Sequence, residues 1–187
     1  MRRVRRDELL ELATYERSRA EIRAGILEAK RVRRVHVAGA LTLLFENTAT
    51  IRYQVQEMVR AERMTREEDI RHELDTYNEL LGGKGELGAT LLIELPDPVE
   101  RDARLREWLA LPGHLYLLTA DGAKVRPTFD PRQVGTDRLS SVQYLKFDVL
   151  GRPPVAAGSD LPQLTGETSL SREQRDALAA DLASDGP

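Results

Sequence analysis

Apolar residues recur at helical spacing from Tyr15 to about Val32, with Tyr15, Ile22, Ile26 and Ala29 on one stripe. That period predicts an amphipathic helix of about four to five turns, preceded by a short helical turn at residues 7–12. The pattern then changes. Arg33 to Val37 and Leu41 to Phe45 are rich in β-branched and large apolar residues, and Ala38-Gly39-Ala40 between them suits a hairpin loop. Asn47 is placed to cap a second long helix running to about Arg63. Thr65-Arg66-Glu67-Glu68 matches a capping box, in which the Thr hydroxyl and the Glu side chain each cover an orphan amide. A third helix is therefore expected from about Arg66, with Ile70, Leu74, Tyr77 and Leu81 on one stripe, stopped by Gly82-Gly83-Lys84-Gly85.

Ala89 to Leu95 reads as a strand buried on both faces. Asp97 and Pro98 open a helix to about Ala110, and Leu111-Pro112-Gly113 breaks it. Asp121-Gly122 predicts a hairpin turn joining His114–Thr119 to Lys124–Phe129. From Ser141 to Val149, Gln143, Leu145, Phe147 and Val149 alternate with Val142, Tyr144, Lys146 and Asp148, so only one face of that strand is apolar. Gly151 to Thr168 shifts to Pro, Gly, Ser and Thr and reads as a linker or extended arm. A second capping box, Ser171-Arg172-Glu173-Gln174, opens a short closing helix with Leu170, Leu178 and Leu182, and Asp185-Gly186-Pro187 is expected to fray. The predicted class is α+β: a mixed, largely antiparallel sheet packed against a long N-terminal helix and a helical hairpin. Residues 1–150 form a single domain, and 151–187 form an arm with a short C-terminal helix.

Composition narrows the chemistry. With 187 residues the chain suits one domain with a sizeable core, and its zero cysteines exclude disulfides, thiolate metal sites and cysteine nucleophiles. No apolar run approaches the roughly 20 residues a bilayer requires, and no signal peptide follows the Arg-rich start, so a cytoplasmic protein without membrane contact is expected. Charge is uneven: the first 36 residues hold 11 Arg or Lys against 6 Asp or Glu, the remainder 17 against 25. The basic positions cluster at Arg2, Arg3, Arg5 and Arg6 and again at Lys30, Arg31, Arg33 and Arg34. Such a patch can follow a phosphate backbone. A pI near 5.7 and the lack of aromatics inside the clusters speak against nucleic acid and for a solvated or self-paired surface.

Familiar catalytic patterns are missing. Gly82-Gly83-Lys84-Gly85 lacks the spacing of a phosphate-binding loop and follows a helix. Ser140-Ser141 has no nucleophile-elbow context. Of three histidines, His36 lies on a strand, His114 opens another and His72 faces water. Asp69-x-x-His72 is half of a di-iron motif whose other half is absent, so neither metal nor cofactor is predicted.

Two polar groupings stand out. Arg19 falls inside the apolar stripe of the first long helix, and Glu62 near the centre of the stripe formed by Ile51, Val55, Met58 and Val59. A buried unpaired charge is costly, so an Arg19–Glu62 ion pair is one reading. The other sends Glu62 to solvent from its helix end and lets Arg19 snorkel along its methylenes. The second grouping is a density of polar residues where strand 41–45 meets helix 48–63: Glu46, Asn47, Arg52, Gln56, Glu57 and Arg60, joined by His36. These are ligand-binding candidates, because a helix N-terminus favours anions.

The run from Leu43-Leu44-Phe45-Glu46-Asn47 through Tyr53-Gln54-Val55-Gln56-Glu57-Met58-Val59-Arg60-Ala61-Glu62-Arg63, with Glu73-Leu74-Asp75-x-Tyr77-Asn78, resembles an uncharacterised bacterial family, domain of unknown function 3501. Arg33-Arg34-Val35-His36, Ala89-Thr90-Leu91 and Ser140-Ser141-Val142-Gln143-Tyr144-Leu145 fit the same resemblance. It implies an accessory role beside rubrerythrin-like proteins and iron–sulfur oxidoreductases in a redox or peroxide response. It also implies an Asp-His-Pro motif near the C-terminus. Here those positions read Asp160-Leu161-Pro162, so chemistry resting on that histidine is closed to this chain. Three functional classes follow: a redox accessory protein, a small-molecule or anion binder or enzyme, and a nucleic-acid binder.

Overall fold

In a computed structural model that describes residues 1–184, six α-helices and eight strands are found among the described residues. The helices are α1 (Leu12–Arg31), α2 (Thr48–Ala61), α3 (Glu67–Asn78), α4 (Pro98–Glu107), α5 (Leu111–His114) and α6 (Arg172–Ala183). The strands are β1 (Arg34–Val37), β2 (Leu41–Phe45), β3 (Glu86–Ile93), β4 (Leu115–Thr119), β5 (Lys124–Val125), β6 (Val142–Asp148), β7 (Pro154–Leu161) and β8 (Leu164–Ser169). The α+β class is as predicted. The expected fraying at 185–187 lies outside the described residues.

Local chemistry sets most boundaries. The Asn47 side chain accepts from the Thr50 amide at 3.0 Å, and the Asn47 amide donates to the Thr50 hydroxyl at 2.9 Å, closing a box at the start of α2. Asp97 accepts from the Glu100 amide at 2.7 Å, and Ser171 from the Gln174 amide at 3.2 Å. Thr65 caps nothing: α3 begins one residue later than expected, after an extended Arg66. Glu67, Glu68 and Asp69 in its first turn complement the positive helix end instead. Ala38 and Gly39 both adopt positive φ, the left-handed pair a tight β1–β2 turn needs.

The single predicted sheet proves to be two. The first has the order β1-β2-β3-β6 and the second β5-β4-β7-β8, antiparallel throughout. Their facing sides enclose the main core, with Val35, Val37, Leu43, Phe45, Leu91 and Phe147 from one sheet and Leu115, Leu117, Ala157 and Leu161 from the other. Trp108 with Leu105 of α4, and Leu178 with Leu182 of α6, close this core.

Residues 154–169, read from composition as an arm, form the β7–β8 hairpin. Their small side chains are required by packing. Gly158 pairs with Tyr116, and a Cβ there would sit 2.4 Å from the Tyr116 ring. Gly166 of β8 lies against Ala38, where an added Cβ would approach to 3.0 Å. The Gly and Ser content thus marks close backbone approach, which composition alone cannot tell from flexibility.

A second, smaller core lies in the helical layer, formed by Ile51, Val55 and Val59 of α2, Ile70 and Leu74 of α3, Leu81, and Val4 and Leu9 of the N-terminal segment. Two carboxamides strap that segment down. Asn78 accepts from the Val4 amide at 2.8 Å and donates to its carbonyl at 3.0 Å, and Gln56 does the same for Leu10 at 2.8 and 3.1 Å. The N-terminal arginines join in: Arg2 binds Glu8, Arg3 Glu79, Arg5 Asp7 and Arg6 Glu67.

Candidate functional site

Strand alternation leaves the side of the first sheet facing away from the core with an unusual composition. The register aligns two rows across its four strands, Arg34–Leu44–Thr90–Tyr144 and His36–Thr42–Leu92–Val142. Glu46, one residue beyond β2, continues this face, its amide donating to the Gly88 carbonyl at 2.9 Å. Ile51 and Gln54 of α2, Tyr77 of α3 and Leu80 just beyond it stand opposite, enclosing a cleft of about 290 Å³. Leu80 and Tyr144 also border a wider groove of about 640 Å³ that runs to Phe129 and Lys146.

Glu46 is the chemical centre of the cleft. It is 7% exposed and accepts from the Thr50 hydroxyl at 2.6 Å and the Thr90 hydroxyl at 2.8 Å. Among the described residues no basic nitrogen forms an ion pair with it. Its position just before α2 lets the positive end of the helix dipole offset its charge. Desolvation raises the pKa of the Tyr144 phenol, and the neighbouring Tyr77 and Glu46 reinforce the shift. Lys30 of α1 and Arg34 of β1 stand at the edge of the cleft. They also line an adjoining groove of about 350 Å³ that reaches Leu27, Arg31 and His36. The His36 ring bonds the Thr42 hydroxyl at 2.8 Å, and that hydroxyl donates to Glu94.

The remaining sequence candidates do not join Glu46. Asn47 is spent on its cap and on Asp181, to which its amide donates at 3.1 Å. Gln56 holds Leu10, and Arg52 borders a separate pocket of about 220 Å³ between α1 and α2. Glu57 and Arg60 face α1. Of the two readings for Arg19 and Glu62, the ion pair is not formed: Arg19 instead binds Glu57, with both guanidinium bonds at 2.8 Å. Glu62 is exposed to solvent, as the other reading has it, because α2 ends at Ala61 and leaves it at the C-cap. The Tyr15 hydroxyl also donates to Glu57, at 2.6 Å, and Arg60 approaches it at 3.4 Å. The Arg19 hydrogen bonds hold Glu57 down to about 2, outweighing its burial. The group is a clamp between two helices.

Sequence reasoning missed the most buried ion pair. Arg33 holds Asp181 of α6 at 2.6 and 2.9 Å and donates to the Ala29 carbonyl at 2.8 Å. Two signals were readable: Arg33 is in phase with inward-facing Val35 and Val37, and Asp181 stands beside Leu182 on the buried stripe of α6. Tyr144 was readable too, as the polar face of an alternating strand. Its proximity to Glu46, about a hundred residues away in sequence, was not.

Elsewhere, Asp69 pairs with Arg66 and His72 is exposed. No group of three or more His, Asp or Glu is placed to hold a metal among the described residues, and no described helix is long and apolar enough to cross a membrane. On the outer side of the second sheet, Arg126 and His114 bind Asp160 at 3.0 Å. The Arg126 hydrogen bond holds the Asp160 carboxyl well below the usual range. Leu161, where the resemblance implies a histidine, is buried in the main core.

A family model described as "Protein of unknown function (DUF3501)" matches residues 3–182. A crystal structure of a novel protein of unknown function from Burkholderia pseudomallei K96243 is 30% identical, covers 97% of this chain and 100% of its own, and superposes with a TM-score of 0.88. No curated protein matches the chain.

Proposed function

The chain belongs to the DUF3501 family of proteins of unknown function, and from the geometry of its first sheet we propose that it binds a polar small molecule in the cleft over Glu46. One observation carries this reading: a carboxylate 7% exposed, on the wall of a cleft, with two hydroxyl donors and no cationic partner among the described residues. Buried acids are ordinarily paired, because removing a charge from water is expensive. An ionised carboxylate offers about four acceptor sites, so two hydroxyls leave it capacity for a ligand donor. The cleft is at the small end of the range for ligand sites, roughly 300–1,000 Å³, and shares Leu80 and Tyr144 with a larger groove. Apolar walls with a few converging polar groups are the usual build of such sites.

The test is a metabolite-library screen by thermal shift, with hits mapped by amide chemical-shift changes. Ligands should perturb residues 44–54, 77–80, 90–92 and 142–144, and Glu46→Gln should weaken them. Hits that map elsewhere, or that bind Glu46→Gln as well as the parent, would overturn the reading.

A further inference from the structure

The two basic clusters of the sequence are resolved unequally by the fold. Arg2, Arg3, Arg5, Arg6, Arg31 and Arg33 each have a carboxylate partner. Among the described residues Lys30 and Arg34 have none, and both stand at the edge of the Glu46 cleft. Arg34 lies directly opposite Leu44, so Glu46, two residues further along the same face, is its diagonal neighbour. Such positions have Cα atoms about 7–8 Å apart. Opposite charges thus face one volume without neutralising each other. Lys30 Nζ instead stands 5.8 Å from the centroid of the Tyr53 ring.

We propose that the cleft selects a small zwitterion, its ammonium group on Glu46 and its anionic group on Lys30 and Arg34. This rests on the cleft being a ligand site. A simple anion in the cleft meets the Glu46 carboxylate, and a simple cation meets Lys30 and Arg34 on the same lining; a molecule with both charges satisfies both ends. Leu44, Ile51, Leu92 and Val142 supply apolar wall for a methylene spacer between the charges. Tyr77 and Tyr144 line the same space, and aromatic faces favour an ammonium over a neutral group. The chemistry fits an ω-amino acid, whose spacer length sets the distance between its charges.

Calorimetric titration of the full chain tests this with glycine, β-alanine, 4-aminobutyrate, 5-aminovalerate and 6-aminohexanoate, each beside the unsubstituted carboxylate and amine of the same length. Affinity should peak at one spacer length and exceed that of the matching carboxylate and amine by at least about tenfold, the effect of one charge-assisted hydrogen bond. Glu46→Gln should remove that advantage, weakening the zwitterion while the carboxylate, freed of the Glu46 charge, binds more tightly. The exposed Arg34→Ala, which does not threaten the fold, should weaken zwitterion and carboxylate together. Equal binding of carboxylates and zwitterions, unaffected by Glu46→Gln, would make this an anion site and overturn the inference while leaving the cleft reading intact. Equal binding of amines overturns it the other way. Binding by none of the probes also overturns it, and the library screen then decides the cleft reading separately.

Discussion

Between the sheets, Phe45, Leu43, Leu91 and Phe147 meet Leu115 and Leu117 in a large apolar cluster, with Gln143 buried on the same face of β6. Across α1, α2 and α3 the apolar cluster is smaller, and much of the attachment is polar: the Arg19–Glu57–Tyr15 clamp and the Asn78 and Gln56 straps. Arg33–Asp181 joins the start of β1 to α6. The first region is held mainly by apolar burial, with the Arg33–Asp181 pair at its margin. The second depends on a few directional contacts, each of which can be removed alone. The cleft lies between these two regions, with the first sheet as its floor and α2 and α3 as its wall.

The comparison is tested most severely in the sandwich. Phe45→Ala should cost about 3–5 kcal/mol and lower the urea midpoint of the whole protein, because its cavity opens in the shared core. If helical-layer amides alone lost exchange protection, the two-region description would be wrong. Next, Arg33→Ala should cost about 3 kcal/mol by stranding Asp181, whereas Arg33→Met with Asp181→Leu should recover most of that loss. A double variant as unstable as the single would show that the pair supplies more than mutual neutralisation.

Asn78→Ala should cost about 2 kcal/mol, since it leaves the Val4 amide and carbonyl unpaired, and exchange protection should fall in the N-terminal segment while β2 and β3 keep theirs. Acid gives a smaller, graded effect. Glu57 is held at about 2 from an ordinary value of 4.5, so between those pH values the unfolded chain binds more protons and stability falls as pH drops. Glu57→Gln should flatten that part of the pH–stability curve; an unchanged slope would remove the clamp from the account. The smallest effect belongs to Arg3→Ala. Arg3 and Glu79 are both more than half exposed, and the change should stay within about 0.5 kcal/mol by chemical denaturation.

The sequence by itself determined the local elements. Helical periodicity, the Asn47, Asp97 and Ser171 caps, and the alternation at 142–149 each depend on residues a few positions apart, which is the range over which such rules act. Glu46 was legible as a polar residue at a strand–helix junction. The tertiary structure decided the rest. It paired Arg19 with Glu57, on a different face of α2 from the apolar stripe that points to Glu62, because the packing of α1 against α2 chooses the facing residue. It turned a Gly- and Ser-rich stretch into the β7–β8 hairpin, since a glycine that admits the Tyr116 ring and a glycine in a linker are the same letter. Among the described residues it left Lys30 and Arg34 without a carboxylate partner beside six paired arginines, and it stood Tyr77 and Tyr144 near Glu46. Charge pairing and cleft formation are set by distances between residues far apart in the chain, and those exist only after the sheets have closed.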